Sequence, residues 1–486
     1  MNSRFVAPRR PPVPWVSLAD RARQQASLPP DELTFKQVMV VLVLHLPLIF
    51  VFQRVPQLSI LHAVLALLLG LHFIIRDERP HRVFWVMAYI AGAEIVWRGV
   101  ESIPIWEYGK FANMGLAVLA LLRYRLLPKV MLWPLLMIAL LLPGIFLMPF
   151  FDRQAISFQL AGPFALAILS MLFSAIEIRK IDLQRILLAM IAPNMTMAAL
   201  IAFSLLTGNI AFSGGNANEE VTGGIGANQV TSSISLGASA AFFYIFLAEK
   251  DRRIRNLMVA VSVGMMVASV LTFSRAGLWN TLGLVLVAVF FLSRDRWRGS
   301  TAIQLLLSLG IISYFVVFPF LVNLTGGALV ARFSDFDSTG RDVLVQVDYQ
   351  VFLDNPVFGV GVGQSIYSHT PYFGYAKPTH TEYGRLLAEH GSLGLSVMVL
   401  WLVVTISRFL RRSSAMDKAL GLGFIAWGLL YMLHSATRLV APSLAFGLAM
   451  ARFALDDDNL SGEKEMPPVA LNLNKRAPVV RPLLRR

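Results

Sequence analysis

The residue types that do chemistry are concentrated in one stretch of this chain. Residues 324–388 form a long polar segment in an otherwise apolar sequence. They contain Thr339-Gly340-Arg341-Asp342, then Asn355-Pro356-Val357-Phe358-Gly359-Val360-Gly361-Val362-Gly363, then His380-Thr381-Glu382-Tyr383. Glu389-His390-Gly391-Ser392-Leu393-Gly394 follows as the next apolar run begins. A loop of this length is uncommon unless it is functional or disordered. A guanidinium fork is shaped for phosphate, and a histidine with a pKa near about 6.5 can take a proton from a hydroxyl at neutral pH. The order arginine, glycine-rich turn, histidine therefore reads as a working site for an anion and a hydroxyl.

Each candidate has a plainer alternative. His380 stands where the loop returns to apolar sequence, with Glu382 and Glu389 near enough in sequence to orient it; otherwise it is an interfacial packing residue. Arg341 sits in the first turn of an expected helix opened by Thr339 and Asp342 as a capping box, with Leu344, Val347 and Val351 on one face and Asn355-Pro356 as its end. A cation there suits a bound anion; the alternative is an exposed arginine paired to Asp335 or Asp337. Arg275 lies in the short connection Thr272-Phe273-Ser274-Arg275-Ala276-Gly277, either gripping phosphate or snorkelling to lipid headgroups. Gly359, Gly361 and Gly363 make a ligand-hugging turn or a bend into the protein. Glu94 and Arg98, spaced i, i+4 with Glu101 nearby, are supporting candidates or a structural ion pair. Arg438 and the glycine-rich 213–226 are candidates for shaping a ligand groove. Asp335-Phe336-Asp337 imitates a metal-binding DxD but reads as solvated loop. No HExxH or comparable pair occurs, so no metal and no cofactor is expected.

These residues must be positioned by membrane helices. Apolar residues make up 56% of the 486, and the mean hydropathy is +0.63. Recurrent runs of about 18 apolar residues can each cross a bilayer core of about 30 Å, where helices satisfy the backbone internally. The expected fold is all-α: a polytopic membrane protein with about 14 helices at 38–52, 58–75, 83–100, 111–127, 130–150, 156–176, 184–207, 229–248, 256–273, 276–292, 302–323, 391–410, 417–434 and 438–454. Alternate connections are basic (Arg76, Arg79 and Arg82, then Arg123, Arg125 and Lys129, and so on), which by the positive-inside rule puts both termini in the cytoplasm and the candidate site outside. That distribution directs the formal charge of +14 toward membrane lipids rather than nucleic acid. The expected division is a basic, proline-rich tail over 1–37, a membrane domain over 38–454 and a basic tail over 455–486. The first apolar run begins near Val38, and no cleavable signal peptide is visible. The chain has no cysteine, which excludes disulfides and thiolate sites.

Ser274-Arg275-Ala276-Gly277, Gly340-Arg341, Asn355-Pro356-Val357-Phe358-Gly359-Val360-Gly361, and His380 followed by Glu389-His390-Gly391-Ser392-Leu393-Gly394 together resemble the O-antigen ligase/polymerase superfamily over about residues 210–400. The resemblance implies a metal-independent inverting glycosyltransferase that uses a glycan carried on a polyprenyl diphosphate and a glycan or lipid-linked acceptor. It implies Arg275 and Arg341 as diphosphate ligands and His380 as general base. Two positions depart from the pattern: Thr381 stands where the family has asparagine, and 208–228 lacks the arginine common in ligases. The second departure favours a polymerase over a ligase. A transporter or flippase is the competing class; it would need polar groups near the bilayer midplane, for which His45, Pro47 and His72 are the few on offer.

Overall fold

Long apolar runs can bury their peptide groups only by internal hydrogen bonding, and here they do so as helices. The computed structural model describes residues 33–76, 81–100, 106–127, 131–208, 210, 212–215, 217–335, 340–412 and 414–455. Residues 1–32 and 456–486, with Glu101, Asp337 and Thr339, lie outside the described residues. The first half of the chain forms α1 (Phe35–His45), α2 (Leu48–Arg54), α3 (Pro56–Arg76), α4 (Arg82–Arg98), α5 (Tyr108–Arg123), α6 (Trp133–Leu141), α7 (Arg153–Ser174) and α8 (Lys180–Thr207). Then come α9 (Ala227–Leu247), α10 (Arg252–Leu271), α11 (Ala276–Leu292), α12 (Arg296–Ile312) and α13 (Phe318–Leu324). The loop carries α14 (Ala328–Ser334), α15 (Arg341–Asp354), α16 (Ser365–Ser368) and α17 (Thr370–Phe373), and α18 (Glu382–Arg411), α19 (Ala415–His434) and α20 (Ala441–Leu448) complete the bundle.

The protein is an all-α polytopic membrane protein. The fourteen apolar runs resolve, among the described residues, into nine helices long and apolar enough to cross a membrane and two shorter apolar ones, 133–147 and α11. The remaining three, α4, α5 and α20, have 17, 16 and 8 residues. A short parallel pair, β1 (Glu177–Arg179) with β2 (Arg452–Ala454), ties the chain near its last described residue to the α7–α8 connection.

α9 is the axis of the bundle. Its spanning window is wholly buried, and α8, α10 and α11 all pack on it. It carries Thr231, Ser232, Ser233 and Ser235 because small side chains let helices approach closely and their hydroxyls find partners inside the protein. Ser233 Oγ donates to Asn194 Oδ1 (2.8 Å) and Trp427 Nε1 donates to Ser235 Oγ (3.2 Å). A Cβ on Gly277 of α11 would lie 2.5 Å from the Thr231 carbonyl oxygen, so the glycine of the Ser274–Gly277 motif is a packing requirement. The N-terminus of α9 is thereby held beside the α10–α11 turn, where the candidate residues gather.

Candidate active site

The α10–α11 connection is a strained turn. Phe273 adopts a left-handed conformation, φ 57°, which for a residue with a Cβ costs on the order of 1–3 kcal/mol and persists only when its surroundings impose it. Three contacts do so. Asn218 N donates to Thr272 O (2.9 Å), Arg332 Nε donates to Phe273 O (3.1 Å), and Ser274 Oγ donates to Asn228 Oδ1 (2.7 Å). Arg275 then reaches the loop, donating to the Asp335 carbonyl (2.6 Å). Arg275 is therefore drawn toward the loop rather than left to snorkel.

Arg341 opens α15 as expected, and the expected capping box involves Thr339. The cap is Gly340 in the left-handed conformation (φ 78°), with no side-chain hydrogen bond to the first turn; Thr339 lies outside the described residues. Only a glycine accepts that entry angle without strain, and it supplies no side-chain oxygen to the N–H groups. Leu344, Val347 and Val351 bury as expected, the latter two against Ala388 of α18. The half-buried Arg341 guanidinium makes no hydrogen bond or ion pair with any described residue. Burial and the guanidiniums of Arg275 and Arg332 push it below the ordinary arginine value. Three arginines from two segments distant in sequence are thus collected beside one helix N-terminus. Arg332, whose NH1 donates to Gly215 O (3.2 Å), was not anticipated; its signal was a lone cation in the apolar run Ala328-Leu329-Val330-Ala331. It also brings an arginine to the glycine-rich 208–228 segment, which has none of its own.

His380 lines a cavity of about 180 Å³ together with Glu219, Asn228, Gln229, His434, Ser435 and Arg438, among others. Neither Arg275 nor Arg341 lines it. The two are linked to it through the Ser274–Asn228 hydrogen bond and through charge, since burial first and then Arg438, Arg341, Lys377 and His369 lower the His380 pKa to about 4. The imidazole is therefore neutral at pH 7, and it has no hydrogen-bond partner among the described residues.

Glu382 and Glu389 do not orient His380. Both carboxylates are buried and committed to Arg385, which bonds Glu382 through NH2 and Glu389 through NH1 (3.0 Å). Glu382 Oε2 also accepts from Thr437 N (3.0 Å), and Glu389 Oε1 from Ser365 Oγ (3.0 Å). One arginine satisfies two buried acids on its own helix at i−3 and i+4, and this removes them from the histidine.

The glycine run is a bend that docks on α18. Gly359, Gly361 and Gly363 all have positive φ (70°, 96° and 72°). Val360 N donates to Ala388 O (2.9 Å) and Gly361 N to Glu389 O (3.1 Å), while Ser392 N donates back to Pro356 O (2.8 Å). Those α18 carbonyls are available because the helix breaks at Gly391 (φ 57°, ψ −134°). The two motifs are thus halves of one joint, which fixes the helix whose start carries His380. Thr381 is its N-cap, accepting from Gly384 N (2.9 Å). Threonine and asparagine both cap helices, so the departure at this position has a physical reason. Thr381→Asn should leave the apparent melting temperature of the purified protein nearly unchanged, and Thr381→Ala should cost about 1 kcal/mol.

Glu94 and Arg98 form the buried i, i+4 pair (2.6 Å), and their remaining contacts make it a lock. Arg98 donates to Gln229 Oε1 (3.1 Å) and Arg438 O (2.8 Å), and Glu94 Oε2 accepts from Val440 N (2.7 Å). The pair pins α4, α9 and the α19–α20 turn together and so holds the cavity wall.

Residues 260–399 match the O-antigen ligase family model. The resemblance to the O-antigen ligase/polymerase superfamily therefore stands on this segment. The O-antigen ligase match contains the strained turn, all three clustered arginines, the glycine bend, His380 and the Gly391 break. It leaves out the α9 and α19–α20 walls of the cavity. No curated protein and no solved structure matches the chain.

Proposed function

We propose that this protein is a membrane glycosyltransferase of bacterial surface polysaccharide biosynthesis. It transfers a glycan from a polyprenyl diphosphate to an acceptor sugar hydroxyl on the external face of the cytoplasmic membrane, without a metal and with inversion. The observation that carries this reading is the Arg341 guanidinium, without a hydrogen-bond or ion-pair partner among the described residues, clustered with Arg275 and Arg332 and within electrostatic range of a neutral histidine at a polar cavity. The acceptor hydroxyl gives its proton to His380 as its oxygen attacks the anomeric carbon. The bond from that carbon to the diphosphate oxygen breaks, and the electron pair leaves with the diphosphate, whose growing charge Arg341 and Arg275 stabilise. An inverting attack puts base and leaving group on opposite sides of the reacting carbon, which fits a His380 cavity that does not include Arg275, Arg332 or Arg341. The prenyl tail runs in the membrane, and the bundle contributes by holding two lipid-borne reactants in register.

A polymerase remains the first reading and a ligase the second; Arg332 at Gly215 O favours the ligase by supplying the cation that 208–228 lacks. Transport is disfavoured by the fate of the buried polar groups. His45 Nε2 meets the Tyr89 hydroxyl (3.0 Å), which meets His62 Nε2 (3.0 Å), and His62 Nδ1 accepts from Trp97 Nε1 (2.9 Å). These groups satisfy one another and present nothing to a cargo. Pro47 simply separates α1 from α2.

Deleting the gene and analysing glycans and lipid-linked intermediates tests the proposal. Single repeat units in place of long chains identify a polymerase, and long chains stranded on the carrier identify a ligase. Intermediates trapped in the cytoplasmic leaflet would overturn the reading in favour of transport.

A further inference from the structure

Beneath His380 lies a buried polar cluster that the chemistry above does not use. His369 and Asp348 are both wholly buried, inside a loop rather than in the bundle core. His369 Nε2 meets Asp348 Oδ1 at 3.1 Å, and its Nδ1 meets the Lys377 carbonyl at 2.5 Å. Both ring nitrogens face oxygen atoms, and with Asp348 ionised the arrangement is complete when both carry protons. Asp348 Oδ1 accepts a second bond from Thr379 Oγ1 (3.1 Å), and Thr379 also contacts Ser365 Oγ (3.5 Å), which is anchored on Glu389.

Residues 376–379 have no regular secondary structure, and the chain bends at His380 before α18 begins. The contacts grip it at Lys377, Thr379 and Thr381, the last through its capping bond. Held on both sides of the bend, His380 is fixed at the cavity it lines. We propose that Asp348 and His369 are positioning residues that clamp residues 377–379 and thereby set the orientation and electrostatic environment of His380.

The two effects are inseparable. Burial opposes the charge on His369, but the bonds to Asp348 and Lys377 outweigh it and raise its pKa. The imidazolium then adds to Arg438, Arg341 and Lys377, with Glu219 and His434 sharing the cavity lining with His380, while Arg385 lies within range of Asp348. The clamp rests on the reading of His380 as the base, so its test needs a measurement independent of catalysis.

Diethyl pyrocarbonate modifies only the neutral imidazole, and site-resolved mass spectrometry of the full chain in lipid nanodiscs gives the modification rate of His380 against pH. The wild-type midpoint is expected near pH 4. His369→Gln, which deletes a cation, should move it upward by up to about one unit, and Asp348→Asn, which deletes an anion, should move it the opposite way. His72→Gln, on an exposed position of α3, should leave it in place. Unchanged midpoints in both clamp variants overturn the proposal. If chain production fails in His380→Ala while the midpoints stay fixed, the clamp is wrong and the glycosyltransferase reading survives. If the midpoints move but His380→Ala makes normal chains, the clamp holds and the base assignment falls.

Discussion

His380→Ala should cut the rate of glycan transfer by about 10²–10⁴-fold, the usual contribution of a positioned general base, and leave the protein folded. The imidazole is partly exposed at a cavity wall and has no hydrogen-bond partner among the described residues, so its removal breaks no structural contact. The pH dependence separates this role from a merely steric one. In the free protein His380 is neutral above about pH 4, which makes it always available and a weak base. Binding a diphosphate at Arg341 and Arg275 would cancel part of the positive field that holds the pKa down. The donor complex should therefore titrate at a higher pH than the free protein. kcat/KM reports the free enzyme and kcat the complex, so the acid limb of kcat should lie above that of kcat/KM. Because the active form is the neutral one, both rates should fall as pH drops. The measurement is a steady-state pH profile with lipid-linked donor. Transfer by His380→Ala within tenfold of wild type, or coincident acid limbs, would remove His380 from the chemistry.

The sequence made the chemistry-bearing positions legible where a residue type is scarce in its surroundings. An arginine in a four-residue turn, an arginine beside glycine in a long loop, and a histidine at the membrane return all stand out against apolar sequence. The all-α membrane fold was equally legible, because hydropathy reports span after span. What remained hidden depended on partners remote in sequence. Glu382 and Glu389 were close enough to His380 to orient it, but Arg385 lies between them on the same helix and takes both. Arg332 became visible as part of the cluster only when α14 was packed under Phe273. The Asp348–His369 pair spans 21 residues, with no spacing rule to announce it. The glycine run allowed two readings because positive φ serves a ligand and a tight bend equally; only the hydrogen bonds to Ala388 and Glu389 decide for the bend.

Gly391→Ala should strongly destabilise the loop–bundle joint, by about 2–6 kcal/mol when backbone strain and overpacking are added. Gly391 holds φ 57° and ψ −134°, a conformation that L side chains rarely adopt. An added Cβ would lie 2.7 Å from Gly359 N, 2.8 Å from Pro356 O and 2.8 Å from Val357 C. All three are backbone atoms, so no side chain can swing away to relieve the contact. The whole Pro356–Gly359 turn would have to lift off α18, breaking the hydrogen bonds from Val360 and Gly361 and releasing the helix start that carries Thr381 and His380. Gly374→Ala is the matched control: it sits in the same loop with φ 76° and has nothing within 4 Å of its would-be Cβ, so it incurs strain alone. Thermal unfolding in nanodiscs should rank wild type above Gly374→Ala and Gly374→Ala well above Gly391→Ala. Hydrogen exchange should speed up at 356–363 in Gly391→Ala only. If the two variants melt together, the two glycine motifs are not a load-sharing joint, and the position of His380 must be set by the Asp348–His369 contacts and the helix cap without it.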